Sequence, residues 1–200
     1  MANNSRYGMV IDLSRCIGCH ACTITCKMEN SVPDTCFRTW VVEADKGTYP
    51  SVTRVKLPRL CNQCQNAPCI SVCPVKATYR DNEGGVIKVE QKKCIGCRYC
   101  IASCPYNARY LNTAKGTAEK CDLCFDRVKG GLMPACVSTC VSHARHFGDL
   151  NDPESEVSRL IREYDVSTLR PEMGTQPSVY YIGLSEALAN ANVTSLVERR

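Results

Sequence analysis

Sixteen of the seventeen cysteines in this 200-residue chain fall into four groups of four. Group I is Cys16, Cys19, Cys22 and Cys26; group II is Cys61, Cys64, Cys69 and Cys73; group III is Cys94, Cys97, Cys100 and Cys104; group IV is Cys121, Cys124, Cys136 and Cys140. Groups I and III have the spacing C-x2-C-x2-C-x3-C, a thiolate run that holds a [4Fe–4S] core, and Pro105 follows group III as it does in that run. The spacing has a geometric reason. Three thiolates two residues apart let one tight loop wrap three corners of a cubane, with backbone N–H groups turned toward its sulfurs. Gly18 and Gly96 supply backbone freedom inside those loops. The fourth cysteine is expected to start a short helix that leaves the loop and, as in two-cluster domains, to ligate the neighbouring core.

Other uses of cysteine fit worse. Structural zinc takes two ligand pairs, so a triple C-x2-C-x2-C leaves one ligand per run without a role. A disulfide framework meets an odd count and neighbours too close to bridge. The groups also repeat, in the order A-B-A′-B′. All four cysteines of groups I and III are offset by 78 residues, and both runs contain Cys-Ile-Gly-Cys. Cys69-Ile-Ser-Val-Cys73 parallels Cys136-Val-Ser-Thr-Cys140, with Pro68 and Pro134 upstream. Repetition at this scale indicates duplicated cluster-binding units.

Short elements must position these loops. Tyr7 to Leu13 and Val86 to Val89 read as strands leading into groups I and III. Residues 27–60 form a linker region, with Val41-Val42 and Val52 to Val55 as hairpin strands. After group IV, Asp152-Pro153-Glu154 reads as an N-cap followed by proline and acids in the first turn, predicting a helix from Pro153 to Tyr164. Val179 to Ile182 reads as a last strand and the final dozen residues as frayed. This tail carries no redox chemistry and is expected to pack or to dock a partner.

Composition bounds the rest. Because 17 of the residues counted as hydrophobic are Cys, the aliphatic core is thin, and only 3 Phe and 1 Trp help to fill it, so cross-links must offset the entropy of folding. The formal charge of +5 does not imply nucleic acid. Sixteen cysteinates and four oxidised cores of about +2 each bring the loaded protein to about −3, and no basic stripe with interleaved aromatics is present. The N-terminus has no apolar h-region and no twin-arginine pair, and nothing approaches the ~20 apolar residues of a membrane span. No nucleophile–base pair or phosphate loop is visible, so the chain is expected to pass electrons without transforming a substrate.

Several residues have a plain reading beside the chemical one. Cys36, the odd cysteine, reads as a small buried side chain. His20, His143 and His146 read as surface or hydrogen-bonding groups, because sixteen thiolates already fill every iron corner. Arg15, Lys93 and Lys120 precede the first cysteines of groups I, III and IV, while Leu60 precedes group II. Cations there would favour a cluster's reduced state, although solvated charges are the commoner outcome. Asn192-Val193-Thr194 matches a glycosylation sequon without apparent meaning.

The four groups and the segments around them resemble the four-cluster, ferredoxin-like β subunit of the molybdopterin oxidoreductases, closest to the polysulfide, thiosulfate and tetrathionate reductase branch. The resemblance is carried by Tyr7-Gly8-Met9-Val10-Ile11-Asp12-Leu13, Cys26-Lys27-Met28-Glu29-Asn30, Phe147-Gly148-Asp149-Leu150, Asp152-Pro153-Glu154-Ser155, Arg170-Pro171-Glu172-Met173-Gly174-Thr175 and Tyr180-Tyr181-Ile182-Gly183. It runs from about residue 6 to residue 183. Val141 stands where the family commonly has proline, and Cys36 where a small residue is usual. Cys97 is present where some relatives replace the cysteine, so a full core is expected there.

The resemblance implies an α+β fold of two ferredoxin-like units with pseudo-twofold symmetry. Residues 1–30 with 105–150 would form one unit and 56–104 the other, with a linker and hairpin at 31–55 and a docking tail at 151–200. It implies four [4Fe–4S] clusters: Cys16, Cys19, Cys22 with Cys140; Cys121, Cys124, Cys136 with Cys26; Cys61, Cys64, Cys69 with Cys104; and Cys94, Cys97, Cys100 with Cys73. Spacing by itself also permits a tandem pairing. The implied partners are a large molybdopterin catalytic subunit and an integral membrane subunit that reacts with quinol, with no nucleic acid. The implied location is peripheral, on the outer face of the cytoplasmic membrane after co-export with a partner, with the inner face as the alternative. Two rival roles are a relay subunit of a hydrogenase or formate dehydrogenase, and a freestanding polyferredoxin.

Overall fold

Gly8-Met9-Val10-Ile11 is continuously apolar, which suits a strand covered on both faces and not an edge. In the computed structural model, which describes residues 5–184, strand β1 (Tyr7–Asp12) buries Met9, Val10 and Ile11 completely. The expectations for the frayed last dozen residues and the Asn192 sequon lie outside the described residues. The order continues with α1 (Ala21–Glu29), β2 (Thr39–Thr48), β3 (Ser51–Leu60), α2 (Pro68–Ser71), β4 (Thr78–Arg80), β5 (Ile87–Val89), α3 (Tyr99–Ala102), β6 (Arg109–Asn112) and β7 (Thr117–Lys120). It ends with α4 (Phe125–Lys129), α5 (Ala135–Ser138), β8 (Arg145–Asp149), α6 (Glu156–Glu163), β9 (Val166–Ser167), a 3-10 turn at Pro171–Met173 and β10 (Val179–Ile182). The fold is mixed α+β, with small sheets and short helices.

The largest sheet has the order β8-β1-β10-β9. Strand β1 runs antiparallel to β8, with Met9 opposite Phe147, and parallel to β10, with Met9 opposite Val179. Part of the tail is therefore integral to the fold, because β10 covers one side of the N-terminal strand. The other sheets are hairpins: β2 with β3, β4 with β5, and β6 with β7. The core joins Met9, Ile11, Leu57, Leu60, Tyr106, Phe147 and Tyr181 to Cys22, Cys61, Cys64, Cys121 and Cys136. A smaller cluster packs Cys69 and Cys100 with Ile87 and Ala118.

Three expectations need correction. The hairpin strands are ten residues each, paired from Thr39–Leu60 to Thr48–Ser51, far longer than two valine patches. The ribbon is exposed towards its tip and carries cross-strand charge pairs such as Arg54–Asp45, so its distal part shows no inward apolar face. Helix α6 begins at Glu156 and not at Pro153. Its cap is Ser155, whose Oγ accepts from Ser158 N, whereas Asp152 Oδ1 accepts from Glu154 N in the preceding turn. Lastly, the fourth cysteine does not start a helix. Helices α1 and α3 start just before the third cysteine, leaving Cys26 in the last turn of α1 and Cys104 beyond α3.

Candidate iron–sulfur centres

Groups I and III share a backbone as well as a sequence. Gly18 and Gly96 lie at φ 74° and 67°, and His20 and Arg98, two residues later, lie at φ 58° and 65°. Successive left-handed turns fold each loop back on itself before its helix. The space is tight too: a Cβ on Gly96 would stand 2.4 Å from the Gly116 carbonyl oxygen, and one on Gly18 would meet Glu43 and Lys56 at 2.8–2.9 Å.

A second device recurs after the last cysteine of groups II, III and IV. The residues three positions on, Lys76, Asn107 and His143, all have left-handed backbones, at φ 53°, 52° and 49°. Each N–H closes a turn on the cysteine carbonyl, at 3.2, 3.3 and 3.0 Å. That turn aims the next backbone N–H back at the sulfur: Ala77 N donates to Cys73 Sγ at 3.2 Å and Ala144 N to Cys140 Sγ at 3.3 Å. The Ala108 N–H likewise serves Cys104. Sequence reasoning missed this, although Cys-x3-Ala occurs at all three places. Group I departs from it because α1 continues through Cys26. There the Asn30 amide takes over, with Nδ2 3.6 Å from Cys26 Sγ and 3.8 Å from Cys124 Sγ.

These contacts bring the groups together in twos. Helix α1 packs on α5 and α2 on α3. Strand β8, leaving group IV, pairs with β1, entering group I, and β4, leaving group II, pairs with β5, entering group III. Asn30 touches sulfurs of groups I and IV, and Arg127 pairs with Glu29 at 3.1 Å across the same two groups. Cys73, Cys94, Cys97 and Cys100 line one small cleft, walled by Val75, Ala77, Ile95 and Ala118. No three His, Cys, Asp or Glu side chains among the described residues close on a single-ion site. A cubane has a different need, since each thiolate sits on its own iron and the ligands stand apart around the core.

The electrostatics divide the cysteines into thiols held neutral and one poised as thiolate. Burial, reinforced by neighbouring Cys136 and Cys124, pushes the Cys26 thiol up to about 12. Burial with Cys61 beside it does the same to Cys64, also to about 12. Burial, with Cys26 beside it, likewise pushes the Cys121 thiol well above its ordinary value. Cys73 goes the other way: its slight burial is outweighed by backbone N–H bonds from Thr78, Ala77 and Val75, which favour the thiolate. Buried donors at these sites also lack protein acceptors. Arg59 Nε and Nη1, Asn62 Nδ2 and Arg109 Nη2 are unpartnered. Cluster sulfurs and cysteine thiolates are acceptors of the right kind, so the residues present fit [4Fe–4S] clusters.

The remaining candidates divide. Cys36 is half-buried rather than buried, and Thr35 Oγ1 lies 3.8 Å from its sulfur. His20 and His143 are exposed, and His146 Nδ1 sits 2.8 Å from Glu156 Oε1. Arg15 and Lys93 are exposed. Lys120 is not solvated: it is buried, and Nζ donates to the carbonyls of Ile87 and, at 2.8 Å, Cys121.

Residues 52–150 match the family model of a 4Fe-4S dicluster domain. The chain is 46% identical over 198 residues to a tetrathionate reductase subunit of Salmonella typhimurium, covering 97% of this chain and 77% of that protein. It is 44% identical to a putative dimethyl sulfoxide reductase iron-sulfur subunit of Halobacterium salinarum, with 89% and 79% covered. A selenate reductase subunit of Mesobacillus selenatarsenatis is 39% identical, with 90% and 73% covered.

Proposed function

The chain belongs to the iron–sulfur, electron-transfer subunits of the molybdopterin oxidoreductases, and on that basis we propose that it carries four [4Fe–4S] clusters between a catalytic molybdopterin subunit and a quinol-reactive membrane subunit. It is a non-catalytic subunit. The proposed ligand sets are Cys16, Cys19, Cys22 and Cys140; Cys121, Cys124, Cys136 and Cys26; Cys61, Cys64, Cys69 and Cys104; and Cys94, Cys97, Cys100 and Cys73. They imply two pseudo-twofold-related units, groups I with IV and groups II with III. The observation that carries this reading is the single cleft shared by Cys73 of group II and three cysteines of group III, supported by Asn30 between Cys26 and Cys124.

The clusters supply one-electron storage at each stop. The chain's own residues hold the stops rigid: the left-handed turns aim N–H groups at sulfur, and the buried strands fix one group against another. The proposed terminal reaction is reduction of a sulfur compound or similar oxyanion, because relatives are named for tetrathionate, dimethyl sulfoxide and selenate. No helix among the described residues is long and apolar enough to cross a membrane, so the proposed attachment is peripheral, through partners. Four cubanes predict about sixteen irons and sixteen acid-labile sulfides per anaerobically purified chain. Iron and sulfide analysis tests this; about eight irons, or stoichiometric zinc, would overturn it.

A further inference from the structure

Two arginines stand in matching places. Arg109 is five residues after Cys104 and opens β6; Arg145 is five residues after Cys140 and opens β8. Both are buried, at 5% and 3% exposure. Each is anchored by a threonine hydroxyl from another segment: Arg109 Nη1 donates to Thr78 Oγ1 at 3.3 Å, and Arg145 Nη2 to Thr39 Oγ1 at 2.9 Å. Arg109 Nη2 has no protein acceptor, and Arg145 Nη1 finds only Met9 Sδ at 4.0 Å. Among the described residues, no carboxylate pairs with either; the ion pairs lie elsewhere, as at Arg38–Glu119, Lys88–Asp81 and Arg127–Glu29.

A buried guanidinium without a counter-ion costs several kcal/mol. Among the described residues, the anionic groups beside them are sulfurs. Burial alone would ease the proton off either arginine, but thiolates outweigh it: Cys69, Cys61 and Cys100 around Arg109, Cys136 and Cys22 around Arg145. In each case the surrounding sulfurs come from both groups of one pair. The packing places them the same way: Arg109 is on β6, which packs on α3 of group III, and its partner Thr78 is on β4 leaving group II, whereas Arg145 is on β8, which packs on α5 of group IV and pairs with β1 entering group I.

We propose that Arg109 and Arg145 are matched fixed cations, one between each pair of clusters, that stabilise the reduced state of both neighbours and so set the potentials along the relay. Adding one electron to a cluster adds one negative charge, which a cation in a low-dielectric site favours. Removing that cation lowers the midpoint potential. Because guanidinium keeps its proton, the effect persists over the whole working pH range.

The inference rests on the cluster pairing proposed above, and the test separates the two. Arg109→Lys, Arg109→Met, Arg145→Lys and Arg145→Met are made in the intact complex, and midpoint potentials are taken by EPR-monitored redox titration. Signals are assigned by their loss in Cys16→Ser and Cys94→Ser. Arg145→Met should keep full iron and lower the potentials of the clusters of groups I and IV only, and Arg109→Met those of groups II and III only. The lysine variants, which keep the charge, should stay near the unaltered protein. Unchanged potentials in iron-replete methionine variants overturn the proposal, as does an equal fall in the lysine variants. If a methionine variant fails to hold iron, a lysine variant that holds it at unaltered potential supports the need for charge; one that also fails makes the arginine a packing residue and overturns the proposal. A fall confined to the opposite pair of clusters overturns the proposal, whereas a fall split between one cluster of each proposed pair supports the charge effect and overturns the pairing.

Discussion

At Cys73 and Cys26 the same two forces reach opposite outcomes. Cys73 is little buried and takes N–H bonds from its own turn, so the thiolate is favoured. Cys26 is buried beside two other thiols and is pushed to about 12, as Cys64 is by burial beside Cys61. Raised acids stay neutral in a compact iron-free chain at neutral pH. What their burial contributes to that form is complete below the ordinary thiol value of about 9 and is lost as pH rises towards 12. Iron must displace those protons, so anaerobic reconstitution should bind more iron in a fixed time as pH rises from about 7 to about 9. A flat profile would contradict it. Cys97→Ser should convert or destroy one cluster and lower folding yield, because metal binding is part of folding here. Cys36→Ala should leave iron content unchanged; equal iron loss in both variants would mean the ligands are misassigned. Residue types and spacings made the sixteen cysteines legible. The Cys-x3-Ala turns were not, because a left-handed φ at Lys76, Asn107 or His143 has no signature in side chains that serve equally well elsewhere.

Elements were legible where burial is deep and hidden where the chain faces water. Strand β1 and strand β10 announce themselves through apolar runs, since both lie inside the largest sheet. The distal half of the β2–β3 ribbon faces water on both sides, and its charged residues read as linker. Helices α2, α3 and α5 have four residues each, too few for any helical period to show. Helix α6 was visible, but its cap was read one turn too early. Asp152 with Pro153 resembles a helix start, yet Ser155 Oγ caps Ser158 N at 3.2 Å and donates to the Asp149 carbonyl at 2.6 Å. Ser155→Ala should therefore cost about 1 kcal/mol, seen as a lower Tm with iron content unchanged. Asp152→Ala should cost less; the reverse order would move the cap back to Asp152.

For the whole molecule, the question is which partner each pair of groups serves. Groups I and IV lie together through β1–β8 and α1–α5, and groups II and III through β4–β5 and α2–α3. On the proposed reading, the pair of groups I and IV should face the molybdenum subunit and the pair of groups II and III the quinol-reactive subunit. Breaking either end should then uncouple a different partner. Loss of the Cys94 cluster is expected to abolish quinol-linked turnover while the Cys16 cluster is still reduced from the molybdenum side. Spectroscopy of that variant, with substrate-side and quinol-side donors tested separately, reads both halves. Normal quinol reduction of every remaining cluster would reverse the orientation. Co-export is part of the same proposal. An unfolded, metal-free chain would expose seventeen reactive thiols, so the protein should cross the membrane folded, loaded and bound to a catalytic partner that carries the twin-arginine signal. Fractionation of cells with and without that signal tests it: loss of the partner's signal should leave this chain in the cytoplasm, and its retention there while the partner is exported would sink the idea.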